Sequence, residues 1–278
     1  MSRARALFDQ GHLGHAIEEL ASEVKNDPTN SGLRTFLFEL LCFAGDWDRA
    51  ERQLDVIGHQ NAQAQLAIAV YRNNIKAERE RRRLFLDGTA PHFLTEPPAY
   101  VDLLLAAIKS LQSGSDSETR RLIDQVEQER PYISGRVNDS EFQDFRDCHE
   151  LTSPVLELIL HDKYTWLPFQ HISRIEIETP VNLRDLLWTS ARVEAKDGTT
   201  ARVFLPALYP GSSEHPNDEV KLGKITEWKR VQEDRYLPIG SRLFVIDDDE
   251  KQIFETERIE FHTSVTTNGN NELAIANA

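Results

Sequence analysis

Residues 11–20 read GHLGHAIEEL and residues 45–54 read GDWDRAERQL. Gly11 matches Gly45, Ala16 matches Ala50 and Leu20 matches Leu54, each pair 34 positions apart. A third copy, GSDSETRRLI at 114–123, has Thr119 in the alanine place and Ile123 in the leucine place, and Gly114 follows Gly45 by 69 positions. The pattern has a packing logic. Glycine turns the chain between two helices, the small residue lets the second helix approach the first, and the larger apolar residue fills the gap to the next pair. Pro28 and Pro131 follow the first and third copies. Proline stops a helix because it lacks an amide donor and clashes with the preceding turn.

This order and period predict a tetratricopeptide-like array of helix–turn–helix units. The middle period is degenerate: residues 62–86 read as one long helix, DGTAPHFLTEPP (87–98) as an irregular segment, and AYVDLLLAAIKSLQS (99–113) as another helix. LRTFLFELLCFAG (33–45) is apolar on two faces. Leu37, Phe38 and Leu41 serve its own pair, which leaves Leu33, Phe36, Leu40 and Phe43 as a second stripe. Such a stripe either packs on flanking helices or forms a groove for a partner's amphipathic helix. Val101, Leu104, Ile108 and Leu111 carry the same two readings. The basic run Lys76, Arg79, Arg81, Arg82 and Arg83 is interrupted by Glu78 and Glu80; it reads as a solvated helix face.

Past residue 131 the texture changes. A short helix is predicted at 151–162, LTSPVLELILHD, and then strands near 173–179, 187–195, 200–206, 224–231, 241–247 and 251–261. Asp197-Gly198 reads as a two-residue hairpin turn, DDDEK turns the last hairpin, and 209–220 is a long polar loop. The expected fold is α+β: a tetratricopeptide-like α-α superhelix (1–131), then a junction and a small, mostly antiparallel β domain (132–265), then a disordered tail (266–278).

With 278 residues, 40% hydrophobic and 28% charged, the chain has a globular composition, and its formal net charge of −14 disfavours nucleic acid and anionic membranes as partners. Cys42 and Cys148 are far apart in sequence, which fits a reducing compartment. No secretory leader or membrane-length apolar run is visible, so a cytoplasmic location is expected. No phosphate loop, nucleophile elbow, H-E-x-x-H or dinucleotide fingerprint occurs, and no cofactor or metal is expected. GSSEH (211–215) holds a serine, a glutamate and a histidine, but on a loop without a rigid frame. Trp166, Pro168 and Phe169, like Trp188 and Trp228, read as β-domain core.

The stretch FQDFRDCHE (142–150) gathers residue types that bind zinc and run acid–base chemistry. The adjacent Cys148 and His149 make poor metal geometry, and no second half-site is evident. Phe142 and Phe145 read instead as anchors, with Asp144, Arg146 and Asp147 as polar ties between the two halves. A metal-assisted hydrolase using Asp144, Asp147 and His149 is the enzymatic alternative.

WLPF (166–169), LPALYPGS (205–212) and the TEW tryptophan (226–228), behind a helical repeat and an FQDFRD junction, resemble the ImpE/SciE family, also called TagJ, in that order. The resemblance implies a non-enzymatic accessory role in bacterial type VI secretion. It also implies binding to a helix of the small sheath subunit TssB, and through the sheath an association with the ATPase ClpV. It transfers no catalytic residues. A generic tetratricopeptide co-chaperone is a further alternative, but Thr35, Glu39 and Cys42 do not make the cationic clamp such proteins use.

Overall fold

Helices pair across the repeat glycines. α1 (Arg3–Asp9) and α2 (Leu13–Asn26) flank Gly11, α3 (Ser31–Phe43) and α4 (Trp47–Gln60) flank Gly45, and one long helix, α5 (Gln65–Asp87), follows. Beyond it, α6 (Ala99–Gln112) and α7 (Asp116–Glu129) flank Gly114. All three glycines are left-handed, with φ of +83°, +69° and +73°, a region that costs other residues dearly. Ala16, Ala50 and Thr119 are fully buried at the helix contacts. Threonine is tolerated in the alanine place because its hydroxyl donates to Ser110 Oγ at 2.9 Å. The computed structural model describes residues 2–60, 62–232 and 235–262; the predicted tail at 266–278 lies outside them.

The strands are β1 (Gly135–Val137), β2 (Ser140–Phe142), β3 (Phe145–Asp147), β4 (Val155–Leu160), β5 (Lys163–Pro168), β6 (Ile172–Ile177), β7 (Trp188–Ala195) and β8 (Thr200–Pro206). A short helix, α8 (Asp218–Lys221), precedes β9 (Thr226–Gln232), β10 (Arg235–Gly240), β11 (Leu243–Ile246), β12 (Asp249–Gln252) and β13 (Arg258–Phe261). The large sheet has the order β2-β1-β13-β6-β7-β8-β4-β5; β10-β9 and β12-β11-β3 form two small ones. The paired strands run antiparallel. The irregular segment after α5 runs beside β5: His92 N donates to Tyr164 O at 2.9 Å, and Trp166 N to His92 O at 3.0 Å. It thereby covers an edge that would otherwise be open to pairing.

Several sequence expectations need correction. VLELIL is strand β4, not a helix. Val155 and Ile159 join the core shared with the helices, while Leu156 and Leu158 join the core on the other side of the sheet. A strand buried on both faces is a continuous apolar run, and periodicity alone does not separate it from a buried helix. The strand predicted at 251–261 is two, split by a 3-10 turn at Ile253–Glu255. The hairpin at Asp197-Gly198 closes with Ala195 N on Thr199 O at 2.8 Å, so three residues form the loop, with Gly198 left-handed at φ +85°. The loop at 209–220 is ordered: it carries a 3-10 turn at Ser212–Glu214 and α8, and Tyr209, Ser212 and Val220 are buried. Trp228 is 47% exposed rather than core, because it lies on the outer face of the β9–β10 hairpin.

Candidate functional site

The helical half ends on Arg130, and the FQDFRDCHE stretch meets it there. Arg130 donates from Nη1 and Nη2 to both oxygens of Asp144, at 2.8 and 2.7 Å. Arg146 Nη1 adds a bond to Asp144 Oδ2 at 2.8 Å. Burial works to raise the Asp144 carboxyl, but these guanidinium bonds outweigh it and hold the group below its ordinary value. Backbone geometry sets the position of Asp144: Gln143 N and Asp144 N both donate to Asp247 Oδ1, at 2.8 and 2.9 Å. Phe142 and Phe145 are buried with Phe169, Phe244 and Phe261 in the sheet's second core, with Phe145 5.0 Å from Phe169 and from Phe244.

Asp147 points elsewhere, into a buried charge network. It pairs with Arg242, which also pairs with Glu157 and donates from Nε to Pro206 O at 2.8 Å. Glu157 in turn takes Arg81 of α5, Nε to Oε1 at 2.8 Å and Nη2 to Oε2 at 3.0 Å, while Arg81 Nη2 also reaches Leu208 O at 3.0 Å. Tyr164 donates its hydroxyl to Glu157 and accepts from Trp166 Nε1 at 2.6 Å. Each charged group is thus paired and hydrogen-bonded, the condition under which buried charges persist. Burial would raise Glu157, but Arg81 and Arg242 hold it far below the usual carboxylate range. Asp147 is raised to about 6, by burial first and by the Glu157 charge, against the pull of Arg242.

The solvated-face reading therefore fails for Arg81, which is 3% exposed. Its neighbours keep surface pairs: Arg79 with Glu51 and Asp48, and Arg82 with Glu214. Glu157, Arg242 and Arg130 carry no expectation from the sequence, where Arg81 stands out only as part of the basic run. The one available signal was Glu157, a carboxylate inside VLELIL.

His149 lies between Phe85 and Tyr209, with ring centres 5.9 and 5.6 Å away. It is 4% exposed and its Nδ1 has no hydrogen-bond partner. Burial pushes it down to about 4, so the ring is neutral at pH 7. His149 N donates to Asp147 Oδ1 at 2.8 Å, but Asp144 is engaged instead by Arg130 and Arg146, so the three do not converge as a hydrolase would need. Cys148 faces Glu250 (Sγ to Oε1 3.8 Å), and burial and that carboxylate push its thiol up to about 12. Among the described residues, no group of three or more His, Cys, Asp and Glu side chains is placed to hold a metal ion. No helix among them is long and apolar enough to cross a membrane.

Beside His149 a cleft of about 280 Å³ opens between α5 and β10, with Phe85 and Leu86 on one side and Leu237 and Ile239 on the other. The second stripe of α3 is split. Leu40 and Phe43 are fully buried, while Leu33 and Phe36 are half-buried. Phe36 packs edge-on against Phe8 of α1 at 5.7 Å, under the Arg5 guanidinium. Of the inner positions, Glu39 pairs with Arg184 at 3.4 Å and Cys42 is buried.

The sequence pattern of the ImpE protein family matches residues 139–260. Over 258 residues the chain is 34% identical to the type VI secretion system accessory component TagJ of Pseudomonas aeruginosa, covering 93% of this chain and 90% of that protein. The chain belongs to the ImpE/TagJ family. Its fold also matches the X-ray crystal structure of a Vibrio parahaemolyticus protein, with a TM-score of 0.87 at 22% identity over 95% of this chain and 99% of that one. The ImpE match runs from β2 to β13. It therefore takes in Asp147, Glu157 and Arg242 but not Arg81, the partner of Glu157 from the helical half of this ImpE/TagJ chain.

Proposed function

We propose that the chain is a non-enzymatic accessory component of a type VI secretion system, a protein-binding scaffold in the bacterial cytoplasm. The similarity to TagJ over nearly the whole chain carries this reading. The finer content is binding of a helix of the sheath subunit TssB, and through it an association with sheath assembly or with recycling by ClpV. The glycine-turned helix pairs act as a tetratricopeptide-like array, residues 1–131, joined to a β unit, residues 132–265. Curved helical arrays offer long binding surfaces. On α3, Leu33 and Phe36 are the stripe residues with surface left to offer, so they are the proposed contact there.

Purified chain and TssB, mixed and passed over an affinity resin, are expected to elute together. Leu33→Glu with Phe36→Glu is expected to weaken that complex while leaving the helical signal intact. Leu40 and Phe43 are unsuitable targets, since a charge placed at a buried position unfolds the helix packing. No complex between the wild-type chain and TssB would remove the reading.

A further inference from the structure

The cleft beside His149 is built from both halves of the molecule and is not consumed by the charge network behind it. Its walls are mostly apolar, and Leu86 on its rim is 64% exposed, among the most exposed large aliphatic side chains described. Its volume of about 280 Å³ lies just below the ~300–1,000 Å³ usual for small-molecule and cofactor pockets, and suits one large side chain with its neighbours. His149 lines it with a buried nitrogen that no described residue satisfies. Unpartnered buried polar atoms are uncommon in folded proteins and call for a reason.

Charge narrows the occupant. The chain as a whole is strongly acidic, with a formal net charge of −14. The cleft instead gathers three cations, Arg81, Arg82 and Lys229, against two carboxylates, Glu78 and Glu214. Arg81 and Arg82 are committed to Glu157 and Glu214. Lys229 has no carboxylate partner among the described residues, and it stands on the inner face of β9, opposite Leu237. An apolar slot with a cation at its mouth selects an apolar group that carries a negative charge beside it.

We propose that this cleft is a docking site for a segment of a protein partner that inserts one large apolar side chain between Leu86 and the β9–β10 hairpin and sets a carboxylate against Lys229. A polar atom of that segment satisfies the buried nitrogen of His149. The proposal rests on the reading of the chain as a partner-binding accessory component, and it is independent of the α3 stripe. Because α5 supplies one wall and β10 the other, an occupied cleft also braces the two halves against each other.

The test uses the full chain and purified TssB, with affinity measured by titration calorimetry. Leu86→Asp and Lys229→Glu change exposed side chains, and circular dichroism checks that each variant is folded. Leu66→Asp is the control: Leu66 is exposed on the same helix but does not line the cleft. The expected result is a loss of about tenfold or more for each cleft variant, the size of a hot-spot truncation, with the control unchanged. The ring nitrogens of His149 are expected to shift in the NMR spectrum of the complex. Wild-type affinity in both cleft variants, or an unmoved His149 ring in a complex that forms, overturns the cleft proposal and leaves the accessory reading standing. No binding of TssB by the wild-type chain overturns both.

Discussion

Arg81 and Arg82 are adjacent on α5, yet one is sealed between the two halves of the molecule and the other reaches through solvent to Glu214. The Arg82–Glu214 pair, N to O at 2.6 Å, has both side chains more than half exposed. Arg81 makes a two-pronged contact with Glu157, a residue 76 positions later, and both side chains are almost fully buried. The difference shows what distance alone does not. A short ion pair in water is worth little, because solvent screens it and the side chains lose freedom. A buried pair has little net worth against an apolar replacement but is costly to break, because the orphaned charge has no water to fall back on.

The largest effect should come from breaking the buried side. Glu157→Gln leaves Arg81 and Arg242 short of their shared counter-charge, and a loss of about 3–5 kcal/mol is expected in urea unfolding. A loss below about 1 kcal/mol would place the network in the same class as the surface pairs.

The repeat glycines come next. Gly45→Ala is expected to cost about 1–2 kcal/mol for the left-handed backbone, and more in sum because the new methyl would sit 2.7 Å from Ser213 Oγ. Gly114→Ala meets nothing within 4 Å, so only the same backbone cost of about 1–2 kcal/mol remains. Equal melting shifts would contradict the contact between the second helical pair and the 209–220 loop.

His149 supplies a pH test with a definite sign. Its folded value, about 4, lies below its ordinary value of 6.5. Between these values the unfolded chain binds a proton that the folded chain refuses, so acidification destabilises the fold through this residue. Asp147, raised to about 6 from 3.8, acts oppositely, its ionisation costing stability as pH rises through that window. The comparison must therefore be differential: wild type is expected to lose more stability than His149→Gln between pH 6.5 and 4. Parallel denaturation midpoints would mean that His149 is not held neutral. The smallest effect belongs to Arg82→Ala, expected within about 0.5 kcal/mol of wild type in the same urea titration.

The same contrast explains what could be read from sequence. Gly11, Gly45 and Gly114 declared the turns because a left-handed residue leaves a local mark, and Pro28 marks the close of α2. The strands at 188–195 and 200–206 were legible from alternation around Asp197-Gly198. β1, β2 and β3 escaped because three-residue strands show no period, and β4 was misread because both its faces are covered. At the site, Asp144 and Arg146 stand two positions apart, so their pairing was within reach. Arg81 was not legible, since its partner comes from the other half of the chain. Leu40 and Phe43 looked available because the neighbours that bury them are not visible in their own helix.

The central claim is that Arg81 and Glu157 act as one unit joining α5 to β4. A double-mutant cycle of Arg81→Met and Glu157→Gln, read by urea unfolding, tests it most directly. The account predicts a coupling of about 2–3 kcal/mol, with the double variant much less unstable than the two single losses imply. Additivity within about 0.5 kcal/mol would contradict it.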